Sequence, residues 1–397
     1  MTDLLHLNWM ANCKYNDILM AHSKDLIQVG RNEFLTLEQL IISIMRIHHA
    51  YTHYGTHHAD DVTSTAFFVE LHSLLYRLFY HEYSYKEFVT RITYVSPYIK
   101  KEETDGHAIV YDVGFGRFDH HDKHNIKLRP PRIIKNKENV EIPYASLGLL
   151  WKYYGRLYLI LSYLVRYDEY PNDRIMEKFF NRFDTNVILP IDARDNGIFD
   201  LTDSNYSETI ANFNAMRSYS VSEFTFNKPL TGIFKNISSD FAFNYACDFA
   251  DRAFSGWICN ALKDMKDAQF VEKQLENHDP TNSVLVLNRY VKLDDATLES
   301  HPEIHYCVYP SSRNKGCWCA QSIQKNKVPF YPFSTNRFVY GKRVTYVNAN
   351  GSLLNALSME DAVHACQRND LMLNQGESSI SATFSPSLYL PERKEVS

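Results

Sequence analysis

Three short clusters of His and Asp, each just after an apolar run, constrain this chain more than any other feature. The first is Thr52-His53-Tyr54-Gly55-Thr56-His57-His58-Ala59-Asp60-Asp61. The second is Asp112-Val113-Gly114, which leads within seven residues to Asp119-His120-His121. The third is Asp192-Ala193-Arg194-Asp195-Asn196-Gly197, after the apolar run 187–191. Alone, each has a bland reading: a solvated loop, an accidental tripeptide, and an Asp-Asn-Gly turn. Together and in this order they are expected at strand-to-loop boundaries, because an open parallel sheet gathers its ligands beyond the carboxyl ends of its strands.

The intervening segments support an α/β reading. Residues 36–47 place Leu37, Leu40, Ile41, Ile44 and Ile47 near helical spacing, with Thr36 as the N-cap. Residues 63–81 carry Phe67, Phe68, Leu71, Leu74, Leu75 and Leu78 on one side with no Gly or Pro. Segments 92–95 and 108–113 have strand composition, and 146–164 and 174–183 read as helices. Strands separated by such helices favour a parallel sheet with crossover connections. After about residue 225 the pattern changes. Helical stretches at 240–262 and 268–277 precede strand-like runs at 283–291, 304–308, 317–323 and 343–348, then a helix at 358–366. That predicts a second, smaller α+β domain over 226–374, with 375–397 as a flexible tail and 1–45 as an N-terminal helical extension that covers a sheet edge or mediates self-association into a homo-oligomer.

Charge and cysteine usage narrow the classes. The formal net charge of -5 argues against a chain that grips long duplex nucleic acid through its overall field, since such binders neutralise many phosphates with Lys and Arg. A local basic cleft stays open. The seven Cys are odd in number and irregularly spaced, and Cys317-Trp318-Cys319 lacks the second pair that a zinc knuckle needs. They read as free thiols in a reducing compartment. No apolar run approaches the roughly 18 residues of a membrane span, and the N-terminus lacks the order of a signal peptide, so a soluble, cytoplasmic protein without membrane contact is expected.

A divalent ion that activates water wants carboxylate and imidazole ligands, and a two-metal site wants a carboxylate able to bridge ions about 3.5–4 Å apart. Mixed nitrogen and oxygen donors suit Mn2+ better than Mg2+. The clusters offer those donors without thiolate, which argues against structural zinc.

The order H-x-G-T-x-H-x-D-[DE], D-V-G then D-H-H, S-x-G-L-[LI]-W and D-A-x-D-N-G resembles the Myg (melanocyte proliferating gene) family. Its members are DHH-like proteins related to RecJ-type exonucleases and class II inorganic pyrophosphatases. The resemblance is close over residues 50–225 and fainter to about residue 366. It implies a DHH-type parallel sheet flanked by helices over residues 46–225, which would be the metal-binding catalytic domain, with 226–374 contributing to substrate binding. It implies two Mn2+ or Mg2+ ions, one on His53, His58 and Asp112, the other on Asp60, Asp112, His120 and Asp195, with Asp112 bridging. His121 would face the substrate phosphate, Asp119 would orient an imidazole, and Ser146 would open the helix beneath the site, its N-terminus favourable for phosphate; a plain cap is an equal reading of Ser146. Tyr54, His57 and Ala59 stand where the family has Asn, Phe and Cys, and Leu354-Asn355-Ala356 stands where it has a Gly-Gly-His element.

The implied activity is a metal-dependent phosphoesterase, a 3′-5′ exonuclease on single-stranded RNA or short oligonucleotides. Arg194, with Arg117, Lys123, Lys127 and Arg129, would meet further phosphates, although a solvated loop is the commoner role for such residues. The alternatives are a small-molecule nucleotide phosphodiesterase or pyrophosphatase, and a non-catalytic nucleotide-binding protein.

Overall fold

The computed structural model describes residues 13–30, 32–47, 49–53, 59–79, 92–95, 108–114, 116–121, 131–134, 140–198, 239–291, 293, 295–325 and 328–375. The chain has a mixed α/β architecture of helices and small sheets, and it divides into two compact units, 1–265 and 266–397. The boundary expected near residue 225 lies outside the described residues.

In the first unit, helix α1 (Asn16–Ala21) is followed by an antiparallel hairpin of β1 (Leu26–Gln28) and β2 (Phe34–Thr36). The expected N-terminal extension is therefore a hairpin as well as helices. Helix α2 (Leu37–Met45) starts where its sequence says it should. The Thr36 hydroxyl accepts from Gln39 N while the Gln39 side chain accepts from Thr36 N, a reciprocal capping box that satisfies two amides the first turn cannot. Leu37, Leu40, Ile41 and Ile44 form its buried stripe.

Strand β3 (His49–His53) lies between β4 (Ile92–Val95) and β5 (Ala108–Val110), parallel to both. Helix α3 (Ala59–Phe79) follows β3, and a hairpin of β6 (Arg132–Ile134) and β7 (Val140–Ile142) precedes α4 (Ser146–Tyr167). Helix α4 is buried along most of its length, as a helix wrapped by other elements must be. Trp151 is its anchor: its ring packs on Phe67 of α3 and on Phe180 and Phe183 of α5 (Asp173–Phe183). Phe254 of α7 (Ser239–Leu275) contacts Phe67, Trp151, Tyr158 and Phe183. Truncating such a ring costs about 3–5 kcal/mol. This packing puts residues 239–265 in the first unit, although their sequence was assigned to the second domain. The two helical stretches expected at 240–262 and 268–277 are one helix.

Between α5 and α6 (Leu189–Asp195) the backbone widens into a π-helical turn, Asp184–Ile188. The apolar run 187–191, expected as a strand, is thus helical.

The second unit is a five-stranded mixed sheet in the order β13 (Val344–Val347), β14 (Leu353–Ala356), β10 (Trp318–Ser322), β9 (Tyr306–Pro310) and β8 (Val284–Val286). Only β8 and β9 pair in parallel. One face packs Val284, Tyr306, Val308, Ala320, Leu354 and Ala356 with Ala362, Ala365 and Cys366 of α9 (Met359–Asn374). The other packs Val271, Leu285, Cys307, Tyr309 and Cys319. Strand β14 takes up Leu354, Asn355 and Ala356, with Leu354 and Ala356 fully buried; these residues form an interior strand, not a loop. Short helix α8 (Asp295–Ser300) and the pair β11 (Gln324–Lys325) and β12 (Val328–Pro329) complete this unit.

All seven Cys are free thiols. Among the described residues no helix is long and apolar enough to cross a membrane.

Candidate metal centre

Side chains from all three clusters are brought together by local geometry that the sequence encodes. After β5, Tyr111 bridges to Phe118 and Asp112 N donates to Phe118 O at 3.2 Å. The loop therefore closes on itself and sets Asp112 beside Asp119-His120-His121. Closure needs left-handed backbone: Asp112 has φ 61° and Gly114 φ 77°. Asp and Gly are among the few residues that adopt that region readily. The Tyr111 hydroxyl, 2.5 Å from Thr65 Oγ1, ties this loop to α3.

Asp60 enters from the first turn of α3 and Asp195 from the last turn of α6. Asp60, His120 and Asp195 each offer a donor atom within 4.8 Å of the other two, as do Asp112, His120 and His121. His120 is common to both groups. Its Nδ1 lies 3.2 Å from Asp112 Oδ1 and its Nε2 3.1 Å from Asp195 Oδ2.

Acidic side chains gather around one imidazole here. The carboxylates of Asp60, Asp112 and Asp195 converge in a nearly dry site. Burial, then repulsion from Asp195, Asp112 and Asp192, holds the Asp60 carboxyl well above the usual carboxylate range. Burial disfavours the charged form of His120, but hydrogen bonds to Asp112 and Asp195 outweigh it and push the imidazole up to about 11. Among the described residues, one imidazole stands with three acidic side chains. Such groups are buried only when paired or when they coordinate a metal, and the oxygen and imidazole donors suit a divalent ion.

Asp119 is buried, and its Oδ1 accepts from His121 N and stands 2.9 Å from His121 Nδ1. The His121 ring is 58 % exposed and lies against that of His120, centroids 4.0 Å apart.

Ser146 is not the N-cap of α4. The N-cap of α4 is Ala145, which has no side-chain acceptor. The first turn is capped from elsewhere: Ser146 N and Leu147 N donate to the two oxygens of Asp60, at 3.0 and 2.7 Å, and Gly148 N donates to Asp192 Oδ1 at 3.0 Å. Carboxylates thus take the amides that a phosphate was expected to meet. The Ser146 hydroxyl, fully buried, reaches Asp112 Oδ1 at 3.4 Å.

Asp192 and Arg132 carry weight that sequence reasoning missed. Arg132 spans Asp192 (2.6 Å) and Asp184 in the π-helical turn (2.8 and 2.9 Å). Those two carboxylates hold the guanidinium firmly charged despite burial. A bidentate pairing of this kind fixes geometry as well as charge. The Asp195-Asn196-Gly197 sequence ends α6 in a Schellman stop: Ile198 N donates to Ala193 O, Gly197 N to Arg194 O, and Gly197 has φ 77°. Arg194 is half-buried in that last turn.

The side chain of His53 and all of His58 lie outside the described residues, as do His57, Lys123, Lys127 and Arg129. Arg117 is described and pairs with Glu33 at 2.8 Å.

A protein-family model, MYG1_exonuc, described as the uncharacterised protein family UPF0160, matches residues 49–332. No curated protein and no solved structure matches the chain.

Proposed function

Since the chain belongs to the MYG1_exonuc family, we propose that it is a divalent-metal-dependent phosphoesterase of DHH type, acting as a 3′-5′ exonuclease on single-stranded RNA or short oligonucleotides. The observation that carries this reading is the convergence of the Asp60, Asp112 and Asp195 carboxylates on the His120 imidazole. The family's name supports the nuclease class.

In this reading Asp112 would serve both of two Mn2+ or Mg2+ sites, with Asp60, His120 and Asp195 completing one and His53 and His58 the other. Bound divalent ions supply Lewis acidity, lowering the pKa of water and neutralising charge on the phosphoryl oxygens. The protein's own groups do the rest. The left-handed backbone at Asp112 holds its carboxylate in place before substrate arrives. Asp119 fixes the His121 ring through Nδ1, so that Nε2 donates to a non-bridging phosphate oxygen. Ser146 buttresses Asp112, and Arg194 meets a further phosphate.

The test is incubation with Mn2+, Mg2+ or chelator against 5′-labelled single-stranded RNA, single-stranded DNA, dinucleotides, cyclic nucleotides and pyrophosphate, with Asp112→Asn as blank. Asn retains the tolerance for left-handed backbone while removing the charge. A ladder of shortened RNA, absent from the blank, is the expected result. Turnover confined to small substrates moves the assignment to a nucleotide phosphodiesterase or pyrophosphatase. That second reading is favoured by Leu354-Asn355-Ala356 forming an interior strand where the family carries a Gly-Gly-His element. Metal-dependent stabilisation without turnover of any substrate would leave a nucleotide binder.

A further inference from the structure

The charge of this chain is unevenly distributed. Residues 304–359 contain no Asp or Glu, but carry Arg313, Lys315, Lys325, Lys327, Arg337, Lys342 and Arg343, in a protein whose formal net charge is -5. Strand register collects five of these cations at one end of the second unit's sheet. Pro310 pairs with Trp318, Trp318 with Ala356, and Ala356 with Val344. These four residues form one row across β9, β10, β14 and β13, about 15 Å long at the usual strand spacing. The chain beyond that row is the β9–β10 turn with Arg313 and Lys315, and the approach to β13 with Lys342 and Arg343, all four exposed. Arg337 belongs to the 3-10 helix Arg337–Tyr340 that leads there.

Two aromatic rings stand out of the surface beside these cations: Phe338 is 69 % and Tyr346 49 % exposed. Arg337 lies over the Phe338 ring at 4.8 Å. Among the described residues the acidic groups at this end are Glu360 and Asp361, of which Asp361 is held by Arg343 at 2.7 Å. The positive charge is therefore in excess.

Strand β13 is an edge, and an exposed edge invites a second strand. Here Arg337 occupies it, donating to Thr345 O at 2.9 Å and Val344 O at 3.4 Å, and the register slips between Val344 and Tyr346. Strand addition by a protein partner is disfavoured. Exposed rings flanked by cations with few acids nearby match a different partner, one that is polyanionic and presents flat aromatic faces.

We infer that this end of the second unit's sheet is a docking surface for single-stranded nucleic acid, with bases stacking on Phe338 and Tyr346 and phosphates meeting Arg313, Lys315 and Lys342. It rests on the phosphoesterase reading and extends it, since it gives a polymeric substrate a hold on the second unit.

The test is a fluorescence-anisotropy titration of the full-length protein with a labelled single-stranded oligonucleotide in chelator, so that nothing is cut. Cleavage of a dinucleotide with metal is measured in parallel. The double variant Phe338→Ala/Tyr346→Ala is expected to bind at least about tenfold more weakly. Lys315→Ala and Lys342→Ala are expected each to lower the slope of log affinity against log salt by about 0.7. All variants are expected to cleave the dinucleotide as the parent does. Binding by the aromatic and lysine variants equal to the parent's overturns the surface alone. So does preference for an acidic peptide over the oligonucleotide. Absence of dinucleotide cleavage in every form, with the binding losses intact, overturns the phosphoesterase reading and leaves the surface standing.

Discussion

Replacing Gly148 by Ala tests how α4 is seated beside the site. A Cβ built there would fall 1.8 Å from Asp192 Oδ2, and 2.8 Å from both Asp192 Cγ and Arg132 Nη2. The carboxylate has nowhere to retreat. It is fully buried, its Oδ1 is held by Gly148 N itself and its Oδ2 by Arg132. Accommodating the methyl group therefore requires the loss of at least one charged hydrogen bond, about 1.5–3 kcal/mol, and full separation of a buried pair costs about 3–5 kcal/mol. A loss near 3 kcal/mol corresponds to a fall in Tm of roughly 6–12 °C for a unit of this size. Gly256→Ala is the control. It sits inside α7 with nothing within 4 Å of its new Cβ, so it should be neutral or stabilise by about 0.5–1 kcal/mol. The assay is thermal unfolding with a urea titration on parent and both variants. A Gly148→Ala protein that melts with the parent would refute the claim that Gly is required by the Asp192–Arg132 pair.

Four further outcomes are expected. Asp119→Asn should lower turnover by about 10–100-fold while metal-dependent stabilisation persists, read by kinetics beside thermal shift. Manganese should raise the Tm of the parent with increasing concentration and leave Asp195→Ala unmoved; an equal rise in both would remove Asp195 from the ligand set. Burial, then the hydrogen bond to Glu70, pushes the Asp251 carboxyl up to about 8, against about 3.9 unfolded. The folded state thus holds a proton that the unfolded chain releases, and the resulting stability is full below pH 4 and lost as pH rises to about 8. Asp251→Asn should flatten urea midpoints across that window. Gly351→Ala should destabilise the second unit by about 1–3 kcal/mol, because Gly351 has φ 68° and its Cβ would meet Phe333 O at 2.4 Å; an unchanged melt would contradict this.

Elements with a period and a boundary residue were legible in the sequence. Thr36 and its capping partner mark the start of α2, and the Phe67-to-Leu78 stripe gives α3. What failed lacked a period. The run 187–191 is five consecutive apolar residues, which periodicity cannot assign to strand or buried helix; Pro190, acceptable in a first helical turn, was the overlooked signal. Leu354-Asn355-Ala356 was placed by matching to a family element, and its strand register with Trp318-Cys319-Ala320 is a long-range fact. Asp60, Asp112, His120 and Asp195 were implied by the family resemblance of the ordered clusters, and their donor atoms lie close together. The support beneath them was not legible. Arg132 stands 60 residues from Asp192, and no local pattern links a lone Arg to a distant carboxylate.

The two amides that Asp60 accepts give the site a further property. One carboxylate serves both as a donor in the ligand cluster and as the end-cap of α4. With an ion bound, its electron density would be shared between that cation and the helix terminus, so the ion would withdraw some of what the helix end receives. Occupancy and helix integrity are then a single reciprocal equilibrium. The amide hydrogens of Ser146 and Leu147 become its natural reporters, their exchange with solvent rising or falling with the ion although neither backbone nitrogen touches it.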